Sequence, residues 1–259
     1  MIGNVKNDKT IIIETNRAQM AKKGAEIFSQ AAKKSVETRG RFVVAISGGS
    51  TPRNMHRLLG EEPFLSDIPW DKTDIFWVDE RCVPADDLHG NFGTAKKDFL
   101  ERVPIPEEQV HPMPGEGPPE MGALNYQQEF LKVFQVGEDE FPVFDLIFLG
   151  MGTDGHTASL FPGQGSLDEK ERLVVPVKGG NPNVSRLTMT YPVLNSGRQI
   201  VFMVSGKEKA EVVKTVLEDK QSRFPAQGIE PANGKLVFLI DREAASLLSG
   251  EHGYEGSLG

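Results

Sequence analysis

The sequence predicts an α/β fold: three layers, αβα, around a doubly wound, mostly parallel sheet of the Rossmann-like kind. Three observations carry this. Short apolar runs, such as Phe42–Ile46 and Phe144–Leu149, have the unbroken character of strands buried on both faces. Amphipathic stretches alternate with the strands, as βαβ units require. Polar clusters follow Ile46, Val78, Leu149 and Val204. Those are the carboxyl ends of expected strands, where open sheets of this class bind ligands.

Taken in order, Asn16 is suited to cap a helix, with Gln19 three residues on to complete a capping box. Met20, Gly24, Ile27, Phe28 and Ala31 share one face of that helix, and Gly40 supplies its stop. Phe42–Ile46 is the first buried strand, and Pro52 stands where the next helix begins. Asp74–Asp79 reads as a strand and Asn91–Val103 as a helix. A Pro/Gly-rich loop at His111–Pro119 precedes a helix over Gly122–Val136. Phe144–Leu149, Leu173–Val177, Arg186–Tyr191 and Gln199–Val204 read as strands. Lys207–Leu217 reads as a helix, Lys235–Ile240 as the last strand and Arg242–Leu248 as a closing helix. Phe28, Phe99, Phe130 and Met20 are expected in the core. There is no internal repeat or low-complexity linker, so residues 1–259 are expected to form a single domain.

Acidic residues outnumber basic ones by 37 to 29, a formal charge of −8. Such a surface repels nucleic acid and anionic membranes unless cations are clustered, so neither is expected as a partner. Cys82 is the only cysteine, which excludes an intrachain disulfide and fits a reducing compartment. The apolar runs fall far short of the ~20 residues of a membrane span. The segment Val5–Lys9 is polar, with no signal-peptide core behind it. The expectation is a cytoplasmic protein, a monomer or small homo-oligomer.

Ser47-Gly48-Gly49-Ser50-Thr51-Pro52 lies between a strand and a helix. Its glycines let backbone N–H groups turn inward, and Ser50 and Thr51 add hydroxyls, which together make a phosphate cradle. The plainer alternative is a tight turn before a capped helix. The loop is neither a Walker A loop nor a dinucleotide fingerprint, so no nucleotide is implied. After the second buried strand come Gly150 and Gly152, then Asp154 and His156. Histidine suits proton transfer near neutrality, and a carboxylate two residues away can orient the ring. The alternative is a capping Asp and a His that bonds the turn. His89, His111 and His156 share no ligand spacing, so no metal is expected. Arg81, Arg186 and Lys209 also stand at strand ends or a helix start. Taken singly each is a surface charge; together they suit an anion. Glu80 is read as structural, and Asp79 is left open between an acid/base role and simply holding Arg81 and the loop.

These segments resemble the 6-phosphogluconolactonase family, within the broader glucosamine-6-phosphate isomerase/deaminase-like group. The matching pieces are the Ser47–Pro52 loop, Asp79-Glu80-Arg81, Gly150–Pro162, Arg186–Thr190 with Pro192–Asn195, and Ser205–Ala210. The resemblance implies hydrolysis of a sugar-phosphate lactone without cofactor. It also implies His156 as general base, with Arg186 and Lys209 in the phosphate site. Asp154 is the candidate to hold the imidazole. Gly48, Gly49, Ser50, Thr51, Asp79 and Arg81 complete the expected substrate-binding set. The deaminase branch places a glutamate where Phe161 stands, and a tyrosine where Arg81 stands; both departures favour the lactonase. A non-catalytic sugar-phosphate sensor is the alternative of a different class.

Overall fold

Apolar strands and helices alternate through most of the chain. Residues 9–85, 87–137 and 140–249 are described by the computed structural model; Val5–Asp8 lie outside them. Strand β1 (Lys9–Glu14) leads into helix α1 (Arg17–Arg39). Asn16 caps α1 by accepting from the N–H groups of Ala18 and Gln19, and Gly40 closes it at φ 77°. No bond from the Gln19 side chain back to Asn16 completes a box among the described residues. Strand β2 (Phe42–Ile46) and helices α2 (Arg53–Leu59) and α3 (Phe64–Asp67) follow, then strands β3 (Thr73–Trp77) and β4 (Asp79–Arg81). Helix α4 (Asn91–Asp98), strand β5 (Val110–His111), helix α5 (Pro119–Phe134) and strand β6 (Leu146–Leu149) come next. The remainder is β7 (Val174–Gly179), β8 (Val184–Met189), α6 (Tyr191–Asn195), β9 (Gln199–Val204), α7 (Ala210–Glu218) and β10 (Lys235–Asp241).

Seven strands form one parallel sheet in the order β1-β10-β9-β6-β2-β3-β5. From β2 the chain winds outward through β3 to β5. It then returns to the other side of β2 at β6 and winds outward through β9 and β10. The reversal falls between β2 and β6, so the loops leaving these two neighbours part on either side of a crevice. The expected α/β fold with a mostly parallel sheet is what the chain adopts. Phe42, Ile46, Ile147, Phe148 and Phe202 are fully buried. Phe28 of α1 meets Phe42 edge-on at 5.3 Å, and Phe28, Phe99, Phe130 and Met20 are all fully buried.

Some elements differ from the sequence reading. β1 was not anticipated. The expected strand at Asp74–Asp79 is two: β3 stays in the main sheet, while β4 leaves it to pair antiparallel with β8, and β8 with β7. The expected helix over Arg242–Leu248 is a run of turns. Asp241 caps Ala244 N at 2.8 Å, and the bonds then span four residues (Ala245 to Asp241) and afterwards only three (Ser246 to Glu243, Leu248 to Ala245). No continuous helical ladder forms. No helix of the described residues is long and apolar enough to cross a membrane.

Candidate active site

The loop after β2 begins with buried Ser47. A side chain at Gly48 would run into Asn91, and Gly49 sits at φ 95°, a left-handed backbone that favours glycine. Both positions therefore leave bare backbone facing the crevice. The helix behind the loop has only the seven residues of α2 and no side-chain cap, so its dipole adds little.

The three-stranded sheet supplies the second wall. Asp79 pairs in register with Thr188, and Arg81 with Arg186. Side chains at directly paired positions share a face, as do residues two apart on a strand. Asp79, Arg81 and Arg186 therefore emerge together. Two arginines directly opposed repel, an arrangement that suits an anion between them. Arg81 donates to Asn91 Oδ1 at 2.9 Å and to the His89 carbonyl at 3.0 Å. Arg186 is 6% exposed and donates to the Gly179 carbonyl at 2.9 Å. Burial pulls its guanidinium below its usual range, while Asp79 counters. Asp79 accepts from Ser159 Oγ at 2.6 Å and from Asn91 Nδ2 at 3.2 Å. Glu80 points away and accepts the backbone N–H groups of Arg81, Asn91 and Phe92. Burial raises its carboxyl to about 7 against those three donors. Its bonds are those of a structural group that ties β4 to the start of α4.

The third wall is the loop after β6. Gly152 N–H donates to the His156 carbonyl at 2.8 Å, closing a tight turn. A side chain at Gly152 would overlap the His156 ring and Asp154. Within the turn, His156 Nδ1 lies 2.6 Å from Asp154 Oδ1, which also accepts the His156 N–H at 3.2 Å. Burial pushes the Asp154 carboxyl up, but the adjacent His156 charge and these bonds outweigh it and hold it below the usual carboxylate range. With Nδ1 engaged, Nε2 is the nitrogen left to face the crevice. Phe161 packs against the imidazole with ring centroids 4.8 Å apart. Lys209 reaches across from the loop after β9 and donates to the Met151 carbonyl at 2.7 Å. Burial lowers its ammonium pKa, with Glu208 and Asp154 opposing.

These walls enclose a cavity of about 240 Å3. Gly48, Gly49, Ser50, Thr51, Asp79, Arg81, His156, Arg186 and Lys209 all line it. Asp154 stands behind, in contact with it only through His156. Arg17, Asn91 and Glu208 also line it and were missed from the sequence. Asn91 carried one signal, its place at the start of a helix after a glycine. Among the described residues no cluster of three or more His, Cys, Asp or Glu could hold a metal ion.

The fold and the cavity define a class: a doubly wound α/β protein with a cation-lined crevice at its switch point and a His–Asp pair at one edge. Residues 15–238 match the family described as glucosamine-6-phosphate isomerases/6-phosphogluconolactonase, and the chain belongs to that family. It is 40% identical over 219 residues to the 6-phosphogluconolactonase of Synechocystis sp., covering 83% of this chain and 88% of that one. It is 37% identical over 228 residues to the 6-phosphogluconolactonase of Rattus norvegicus, covering 87% and 88%. Among solved structures, the 6-phosphogluconolactonase from Trypanosoma cruzi superposes with a TM-score of 0.83 at 28% identity, covering 94% of this chain and 98% of that one.

Proposed function

We propose that this protein hydrolyses 6-phospho-D-glucono-1,5-lactone to 6-phosphogluconate, with His156 as the general base. One observation carries the reading: the imidazole of His156 and the bare backbone of the Gly48–Thr51 loop line the same small cavity, together with Arg81, Arg186 and Lys209. A phosphorylated lactone spans such a site from end to end. The phosphate takes N–H and hydroxyl donors from the loop and charge from Arg186 and Lys209. Anchoring that remote group holds C1 beside His156 and removes orientational entropy from the barrier.

His156 Nε2 takes a proton from water as its oxygen attacks the lactone carbonyl, forming a new C1–O bond. Asp154 fixes the ring and stabilises the imidazolium. Arg81 is the candidate donor to the developing oxyanion. The intermediate collapses with cleavage of the bond from C1 to the ring oxygen, which takes the proton back from the imidazolium. The chain in this reading is a single cytoplasmic domain. Among the described residues Asp154 is the one carboxylate in hydrogen-bond contact with His156, and the Phe161 ring packs against the imidazole. A second carboxylate able to shuttle protons through His156, as an isomerising deaminase would employ, has no counterpart there.

The test generates the lactone in situ and follows 6-phosphogluconate with its dehydrogenase against the spontaneous rate. A rate above background that His156→Ala abolishes is expected. A rate equal to background, with ammonia released from glucosamine 6-phosphate, would overturn the reading.

A further inference from the structure

Arg17 stands in the first turn of α1, far in sequence from every segment that defines the site, yet it lines the same cavity. Its Nε donates to Ser205 Oγ at 2.7 Å, and Ser205 is 2% exposed. No carboxylate of the described residues lies within ion-pair distance of its guanidinium, and its two terminal nitrogens have no acceptor there. The N–H groups of Ala18 and Gln19 are already taken by the Asn16 side chain at 2.9 and 3.0 Å. What α1 offers the cavity is therefore a guanidinium and not an open helix end.

Elsewhere the arginines Arg39, Arg53, Arg57 and Arg172 each meet a carboxylate. In the cavity, Arg81, Arg186 and Lys209 bond only to neutral acceptors. Arg17 behaves as these three do. The two acids lining the cavity are engaged otherwise: Asp79 with Ser159 and Asn91, and Glu208 folded over Gly206. In a chain of net charge −8, four cations without ion-pair partners converge on one small space.

We propose that Arg17 is a further substrate-binding residue, pairing through its two terminal nitrogens with the phosphoryl group, and that Ser205 is the positioning residue that aims it. The bond to Nε leaves the terminal nitrogens free to form the fork that arginine presents to phosphate. Ser205 also opens the segment that carries Lys209, and Asp241 clamps that segment through Gly206 N–H at 3.1 Å. One backbone unit thus sets both cations. The inference rests on the proposed reading of the site as one for a phosphorylated substrate.

The test compares wild type with Arg17→Ala, Arg17→Gln and Ser205→Ala in two measurements. One is steady-state hydrolysis of the phospholactone; the other is calorimetric titration with inorganic phosphate and with 6-phosphogluconate. Arg17→Ala and Arg17→Gln are expected to raise KM about tenfold and to weaken both ligands by a similar factor, with kcat within about twofold. Ser205→Ala keeps the charge but loses its aim, and is expected to raise KM a few-fold with the same unchanged kcat. Arg17→Gln preserves side-chain length, so a folding defect in the alanine variant does not remove the test. Wild-type KM and wild-type affinity for both ligands in the Arg17 variants would overturn the proposal. If the wild type hydrolysed no lactone, the lactonase reading would fall, and the phosphate titration would still decide the role of Arg17.

Discussion

His156 has one nitrogen to spare for chemistry because the other is committed. With Nδ1 donating to Asp154 at 2.6 Å, the lone pair sits on Nε2, the nitrogen to which the proposed mechanism assigns the deprotonation of water. A positioned general base contributes about 10²–10⁴-fold, so His156→Ala is expected to lower kcat by that factor while KM changes less than about twofold. Asp154→Asn removes the charge that favours the imidazolium and allows the amide to select the wrong tautomer, so kcat should fall about ten- to a hundredfold. Steady-state rates corrected for spontaneous hydrolysis check both; an unchanged kcat in either variant would deny the pair its role. Lys209 separates binding from chemistry. Its Nζ is tethered to the Met151 carbonyl at 2.7 Å, and no hydrogen bond among the described residues joins it to His156. Lys209→Ala is therefore expected to raise KM about tenfold with kcat nearly constant. Were KM to stay put, the phosphate would bind elsewhere.

Where elements meet, one buried ring sets an acid limit. His56 of α2 is 2% exposed, packs 5.4 Å from Phe99 at the end of α4, and its Nε2 has no hydrogen-bond partner. Burial lowers its pKa to about 4, although Asp98, which clamps Arg53 and Arg57 beside it, pulls the other way. Between about 4 and its ordinary 6.5, the unfolded chain binds a proton that the folded chain refuses. Stability from this group is thus present above the upper value and lost as pH falls through the window. The stability of wild type relative to His56→Leu is expected to drop by roughly 2 kcal/mol from pH 7 to 4.5. Denaturant melts at the two pH values measure it, and a constant difference would mean that the ring takes up a proton without unfolding. The same scale explains how far the sequence could be read. Strands buried on both faces announce themselves as unbroken apolar runs, so β2, β6 and β9 were legible. So were the glycine turns that follow β2 and β6. The split of Asp74–Asp79 into β3 and β4 was not, because Val78 is as apolar as its neighbours and only the pairing with β8 shows where the strand changes sheet. The turns after Asp241 have helix-like composition and a carboxylate cap, both of which signal a helix, yet no continuous ladder of four-residue bonds follows the cap. Arg17 reaches the cavity through tertiary placement alone, which no local pattern encodes, and Asn91 offered only its place at a helix start after a glycine.

For the molecule as a whole, the strand order gathers positive charge at one point of a negative body. The face of β4 and β8 contributes Arg81 and Arg186 and the segment after β9 contributes Lys209, while Arg17 joins them from α1. The protein as a whole carries −8. An incoming phosphate is therefore repelled at long range and attracted only inside the crevice. Salt shortens the reach of charge from about 30 Å at 0.01 M to about 8 Å at 0.15 M. It screens the distant repulsion strongly and the contact-range attraction weakly. Raising potassium chloride between those two concentrations should consequently leave KM for the phospholactone within about twofold, where a basic anion-binding protein would lose affinity steeply. In Lys209→Ala the local attraction is weaker while the body's repulsion persists, so its KM should fall as salt is added and the gap to wild type should narrow. The measurement is KM at both ionic strengths for the two proteins, with phosphate and sulfate kept out because they compete for the site. A rise of more than about tenfold in wild-type KM would show that long-range attraction governs capture, and that the anion is drawn in by charge this acidic surface does not possess.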